Sequence, residues 1–79
     1  MILKLKSAEE TLAAATDVSS ASVVRVYNSG TTDHIINNSN GTNVTLPGGA
    51  ITFIDKLPTE TLNAANAEVL AVSVAYSTS

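Results

Sequence analysis

Few side chains in this 79-residue chain are of the types that do chemistry. Its single histidine, His34, follows Asp33 directly, and a carboxylate beside an imidazole is the pairing that general acid–base catalysis uses. Adjacent residues of an extended chain point to opposite faces, however, so the two cannot form a dyad directly. There is no Cys and no second His to complete a zinc site. Asp55 and Glu60 are also close in sequence, yet nothing around them marks a sugar-cleaving cleft.

The Asn38, Asn40, Gly41 run shares a fragment of a calcium loop, but an EF-hand with its glycine at Gly41 needs an oxygen ligand where Ile36 stands and a Glu where Pro47 stands. Turn formation explains these residues, and it also explains Asn37, Asn40 and Asn43, each of which begins an N-x-[ST] triplet. Gly48-Gly49 lacks the GK[ST] or GxGxxG context of a phosphate loop. No base is placed by a motif to activate a Ser or Thr. The reading is therefore of a non-enzyme with no catalytic, cofactor-binding or metal-binding residues.

What such a chain can be is bounded by its composition. A chain this short makes one small domain, residues 1–79, with a modest core, and small scaffolds usually gain stability from disulfides, a metal or a partner. With the first two missing from the residue types, a homo-oligomer or a many-copy assembly is expected. The net charge of -3, with Lys4, Lys6, Arg25 and Lys56 the only cations, cannot neutralise several phosphates, so nucleic acid is excluded as a partner. Lys4 and Lys6 interrupt the apolar run that a secretory signal needs, and no stretch approaches the ~18 apolar residues of a membrane helix. The chain reads as one made in the cytoplasm and not bound to a membrane.

The elements that would position these residues are extended. Met1, Leu3 and Leu5 alternate with Lys4 and Lys6, the period of a half-buried strand. In SAEETLAAATD, Ser7 and Glu10 have capping-box spacing and the alanines favour a helix, while the shortness of the segment and the Thr, Asp and Ser after it suit a loop; both readings stand. SASVVRVYN reads as a strand with Val24 and Val26 on one side and Val23, Arg25 and Tyr27 on the other. Asn28-Ser29-Gly30 then predicts a hairpin into the extended segment around Ile35 and Ile36. Asn40-Gly41 predicts a second, with a type I′ turn into NVTL.

AITFIDK, apolar on both sides, predicts a central strand. TETLNAANAE is a helical turn or compact loop with Thr59 as a plausible cap. In the closing EVLAVSVAY, Leu70, Val72, Val74 and Tyr76 share one face, and Val69, Ala71, Ser73 and Ala75 form a small-residue face on which another sheet or subunit could pack closely. The sum is an all-β single-domain sandwich or barrel of about six short antiparallel strands.

The order VVRVYNSG, GTNVTLPGGAITFIDK, LPTETL and LAVSVAYS resembles the small β-rich virion structural proteins of tailed bacteriophages, in particular those that infect marine cyanobacteria. The likeness covers about residues 23 to 77 and rests on turn and packing motifs. It implies a capsid decoration or cement protein in the virion, bound to the major capsid protein or other virion proteins, and transfers no catalytic residue. The expected contact edge is Met1, Ile2, Leu3, Lys4 and Lys6, with Arg25 and Tyr76 as anchors because Arg and Tyr are enriched at hot spots. Lys4, Lys6 and Arg25 together form a candidate basic patch. The alternatives are a head–tail connector, tail or fibre component, or a host-glycan-binding module whose site combines Tyr27, Tyr76 and the loop from Asn37 to Asn43.

Overall fold

The alternation in VVRVYN organises the molecule. A computed structural model, which describes residues 3–76, places this segment as a strand (β3, Val23–Asn28) whose Val24, Val26 and Asn28 are buried while Val23, Arg25 and Tyr27 are half-buried on the opposite face. β3 pairs antiparallel with β6 (Ile51–Asp55) on one side and with the long β8 (Asn66–Tyr76) on the other. The far edge of β8 pairs with β1 (Leu3–Leu5) along residues 74–76 and with β2 (Glu10–Leu12) along residues 66–71. A second sheet has the order β5 (Asn43–Leu46), β4 (His34–Asn38), β7 (Leu62–Asn63).

The two sheets pack face to face. Val24 and Val26 of β3 and Val69 and Ala71 of β8 meet Ile36, Leu46 and Leu62 of the second sheet in one aliphatic core. The small-residue face of EVLAVSVAY is thus the one on which the other sheet rests, as its Ala and Ser suggested. The accessible surface, 4483 Å², matches the approximately 4,500 Å² of a compact chain of this mass. Any case for a partner therefore rests on what the surface is made of, not on its extent.

All-β architecture holds, with eight strands in place of about six because β2 and β7 are short additions. Other expectations are corrected. Residues 7–20 form no helix: Ser7 Oγ accepts the Ser73 N–H at 3.0 Å instead of capping, and Glu10 lies in β2 and accepts from Thr16 Oγ1 at 2.6 Å. β3 and β4 do not form a hairpin, since the chain crosses from one sheet to the other between them.

The cause of that crossing is the Asn28 side chain. Its Nδ2 donates to the carbonyls of Thr32 at 2.8 Å and Leu46 at 3.0 Å, and its Oδ1 accepts the Gly30 N–H at 3.0 Å. The turn after Asn28 is therefore turned toward the second sheet. The β4–β5 hairpin forms as expected, but through a different turn: Gly41 alone has positive φ, at 95°, and its N–H bonds the Asn38 carbonyl at 3.0 Å. This is a three-residue loop with a glycine bulge, for which a left-handed residue is needed only at the last position. β6 is an edge strand, not a central one, because among the described residues β3 alone pairs with it, and the outward half of its apolar pattern leaves Ile51 and Phe53 50% and 45% exposed.

The segment after β2 reverses without glycine. Val18, Ser19 and Ser20 are all left-handed, with φ of 52°, 57° and 56°, and Ala21 N–H closes the turn on the Asp17 carbonyl at 3.2 Å. Each costs about 1–2 kcal/mol for an L-residue. What holds the turn is burial: Val18 is fully enclosed in the core, and its N–H donates to Thr16 Oγ1 at 3.0 Å.

Lys56, just beyond β6, is buried, and its Nζ donates to the carbonyls of Ala21 at 2.7 Å and Leu57 at 3.2 Å. Desolvation lowers its pKa below the ordinary lysine value, with Asp17 and Glu60 opposing the shift. A lysine depressed in the folded state is better tolerated uncharged, and the neutral amine still donates to both carbonyls. Between the depressed value and the ordinary one the unfolded chain holds more protons, so stability rises with pH across that window. Urea midpoints followed from neutral pH toward the ordinary lysine range should climb relative to those of Lys56→Met; parallel curves would show that the amine is not desolvated.

Candidate docking surface

The face of the large sheet turned away from the core carries the molecule's most distinctive side chains. Register places Tyr27 between Ile51 and Leu70, and Arg25 between Phe53 and Val72. On the far side of β8, Leu5 stands opposite Val74 and is 67% exposed. Period-two alternation is the reason: once Val24, Val26, Val69 and Ala71 turn inward, their neighbours must turn outward. Among the described residues the core cluster contains no aromatic side chain, whereas Tyr27 and Phe53 both lie on this outer face.

Arg25 is held in place there. Its guanidinium lies 5.8 Å from the centroid of the Tyr27 ring and its Nη1 3.5 Å from Glu9 Oε2. Cation–π contact and a partly exposed ion pair are each modest in energy, but together they fix the orientation of a long side chain. An Arg, a Tyr and a Phe among aliphatics, on a sheet face that is exposed at Ile51 and Phe53 of β6 and closed over Val72 and Val74 of β8, is the composition of a protein-binding hot spot.

The expected contact residues divide. Leu3 is half-buried opposite the register position of Tyr76, on the face that Arg25 occupies. Met1 and Ile2 lie outside the described residues. Lys4 and Lys6 are exposed but alternate to the opposite side of the sheet, so the basic patch with Arg25 does not form. Tyr27 stands on the outer face of the large sheet, in register with Ile51, and the loop from Asn37 to Asn43 is the tip of the β4–β5 hairpin in the other sheet. Sequence reasoning missed Leu5, Ile51 and Phe53 as surface residues; the available signal was that AITFIDK is apolar on two faces while only one can meet the core.

Elsewhere, His34 Nε2 sits 3.4 Å from Glu68 Oε1 and 3.5 Å from Thr32 Oγ1, so its acidic neighbour is Glu68 and not Asp33. Glu60 accepts the Leu57 N–H at 2.8 Å and serves its turn. Among the described residues no group of three or more His, Cys, Asp or Glu could hold a metal, and no helix is long and apolar enough to cross a membrane.

Fold and surface together define a small all-β sandwich whose large sheet leaves Leu5, Ile51 and Phe53 exposed. No family model matches the chain, and no curated protein or solved structure matches it either.

Proposed function

We propose that this chain is a non-enzymatic structural protein of a bacteriophage virion, a decoration or cement protein present in many copies on the head shell and bound to the major capsid protein. The observation that supports it is the placement of Arg25, Tyr27 and Phe53 on the outer face of the large sheet while the core cluster of the described residues is aliphatic. A single small domain of this kind binds weakly, and many copies on a repeating lattice sum those contacts. The sequence likeness to phage virion proteins supplies the choice of lattice.

The test is co-sedimentation with purified head shells. Arg25→Ala combined with Phe53→Ser should weaken binding by about 30-fold or more, the scale of hot-spot truncation, in a variant whose thermal midpoint stays above the assay temperature. Failure of the unmodified chain to bind shells would overturn the head-shell reading. Binding in only a few copies per particle would move the chain to the connector or tail.

A further inference from the structure

Five asparagines among the described residues make the same local bond, in which the side-chain oxygen accepts the N–H two residues on. Asn28 takes it from Gly30 at 3.0 Å, Asn38 from Asn40 at 3.0 Å, Asn40 from Thr42 at 2.9 Å, Asn63 from Ala65 at 2.8 Å and Asn66 from Glu68 at 2.8 Å. Each bond closes a small ring of atoms that contains both the side-chain amide carbon, Cγ, and the backbone nitrogen of the next residue. These are the two atoms that join when an asparagine cyclises on its own backbone, so each ring keeps an electrophile and a nucleophile near one another.

Three differences single out Asn40. The next residue is Gly41, whereas the others precede Ser29, Ser39, Ala64 and Ala67, whose Cβ atoms crowd the attacking nitrogen. The Gly41 N–H donates only within its own loop, to the Asn38 carbonyl at 3.0 Å, while Ser29, Ser39 and Ala64 donate to the distant carbonyls of Glu68, Thr61 and Leu12, each at 2.9 Å. Fraying of the exposed hairpin tip is therefore enough to release the Gly41 nitrogen. Finally, of the five side-chain oxygens only that of Asn40 holds a second donor, the Thr42 hydroxyl at 2.6 Å.

We propose that Asn40 is a site of self-modification, where the Gly41 nitrogen displaces ammonia from the side-chain amide and Thr42 stabilises the oxyanion formed on the way. Hydroxide takes the Gly41 amide proton, and the nitrogen's electron pair bonds to Cγ as the carbonyl pair moves onto Oδ1. Negative charge then develops on the oxygen that the Thr42 N–H and Oγ1 already hold, and two donors on one oxygen is the arrangement of an oxyanion hole. As the carbonyl reforms, the Cγ–Nδ2 bond breaks, and Nδ2 takes a proton from water and leaves as ammonia, which regenerates the hydroxide. Water then opens the cyclic imide at either carbonyl. The product is aspartate or isoaspartate at position 40, with one more negative charge than the formal -3 of the chain.

The test is storage of the full chain in neutral buffer, in buffer one pH unit higher and in concentrated urea, followed by peptide mass spectrometry and isoaspartate labelling. In buffer the Asn40 peptide should gain about 1 Da, NH2 having given way to OH, before that of any other asparagine. One pH unit should speed the gain about tenfold, because hydroxide is the base. Thr42→Val, which loses one of the two oxyanion donors, should slow it about tenfold, and Thr42→Ser, which keeps the hydroxyl, should restore the rate. In urea, where the fold no longer closes the ring, Thr42→Val should match the unmodified chain. Modification first at another asparagine, or none at Asn40, overturns the proposal. A Thr42→Val rate in buffer that is unchanged or faster does so as well, since the hydroxyl would then be idle or a restraint. Equal slowing in urea also overturns it, because the effect would belong to the sequence and not to the fold. None of these results bears on the head-shell reading, because the hairpin tip lies in the other sheet from Arg25 and Phe53.

Discussion

Replacing Asn28 by Ala should remove about 4 kcal/mol of stability, the sum expected for stranding buried polar groups and opening a small void. Asn28 is fully enclosed, and no buried side-chain polar atom among the described residues lacks a partner. Its amide is a buried link between the sheets, joining the end of β3 to the carbonyl of Leu46 at the end of β5 and to Thr32 in the crossing loop. Its backbone adds two more bonds, Asn28 N–H to the Ala50 carbonyl at 3.0 Å and Gly49 N–H to the Asn28 carbonyl at 2.8 Å.

Alanine keeps the backbone pair but leaves two carbonyls and the Gly30 N–H without their partner. A domain of this length has only about 4 to 12 kcal/mol in total, so the variant should melt about 20 °C lower. Asn28→Asp should be worse at neutral pH, because it turns a carboxylate oxygen toward two carbonyl oxygens, and should recover as acid protonates it. A calorimetric loss under about 1 kcal/mol for the alanine variant would show that water replaces the amide at no cost.

Gly48→Ala should cost about 2–3 kcal/mol by overpacking. A methyl there would lie 2.6 Å from the carbonyl carbon of Thr31, 2.8 Å from its oxygen and 2.9 Å from its Cα. These are backbone atoms, which cannot rotate away as a side-chain tip can. The neighbouring Thr32 is anchored by Asn28, so the two sites strain the same segment. In the double variant, once Asn28→Ala has released Thr32, the added methyl should be accommodated more easily. The combined loss should fall short of the sum by about 1 kcal/mol in a denaturation cycle. Strict additivity would mean that Thr31 is fixed by something other than Asn28.

Asn28 also marks where local reading of the chain fails. β3, β4, β5, β6 and β8 were legible because period-two alternation and turn residues are local signals, and the Asn40-Gly41 hairpin was legible for the same reason. Asn28-Ser29-Gly30 carries the same turn chemistry, yet it leads out of the sheet. What decides is an amide bond to Leu46, 18 residues away, which no window around the turn contains. The pairing of β3 with β6 and β8 is equally non-local.

The outer face was half legible. Arg25 could be chosen as a contact residue by type, but Phe53 and Ile51 were assigned to a central strand, since a pattern apolar on both sides does not reveal which side lacks a second sheet.

The glycine-free reversal at Val18 to Ser20 has an implication for how the polypeptide reaches its final form. A backbone kept on the rarer side of its conformational map by an enclosed valine has little reason to adopt that shape before the enclosure exists. The bend therefore belongs to the last stage of assembly, fastened when the two layers close over it, and it is the place where the finished molecule would first come undone.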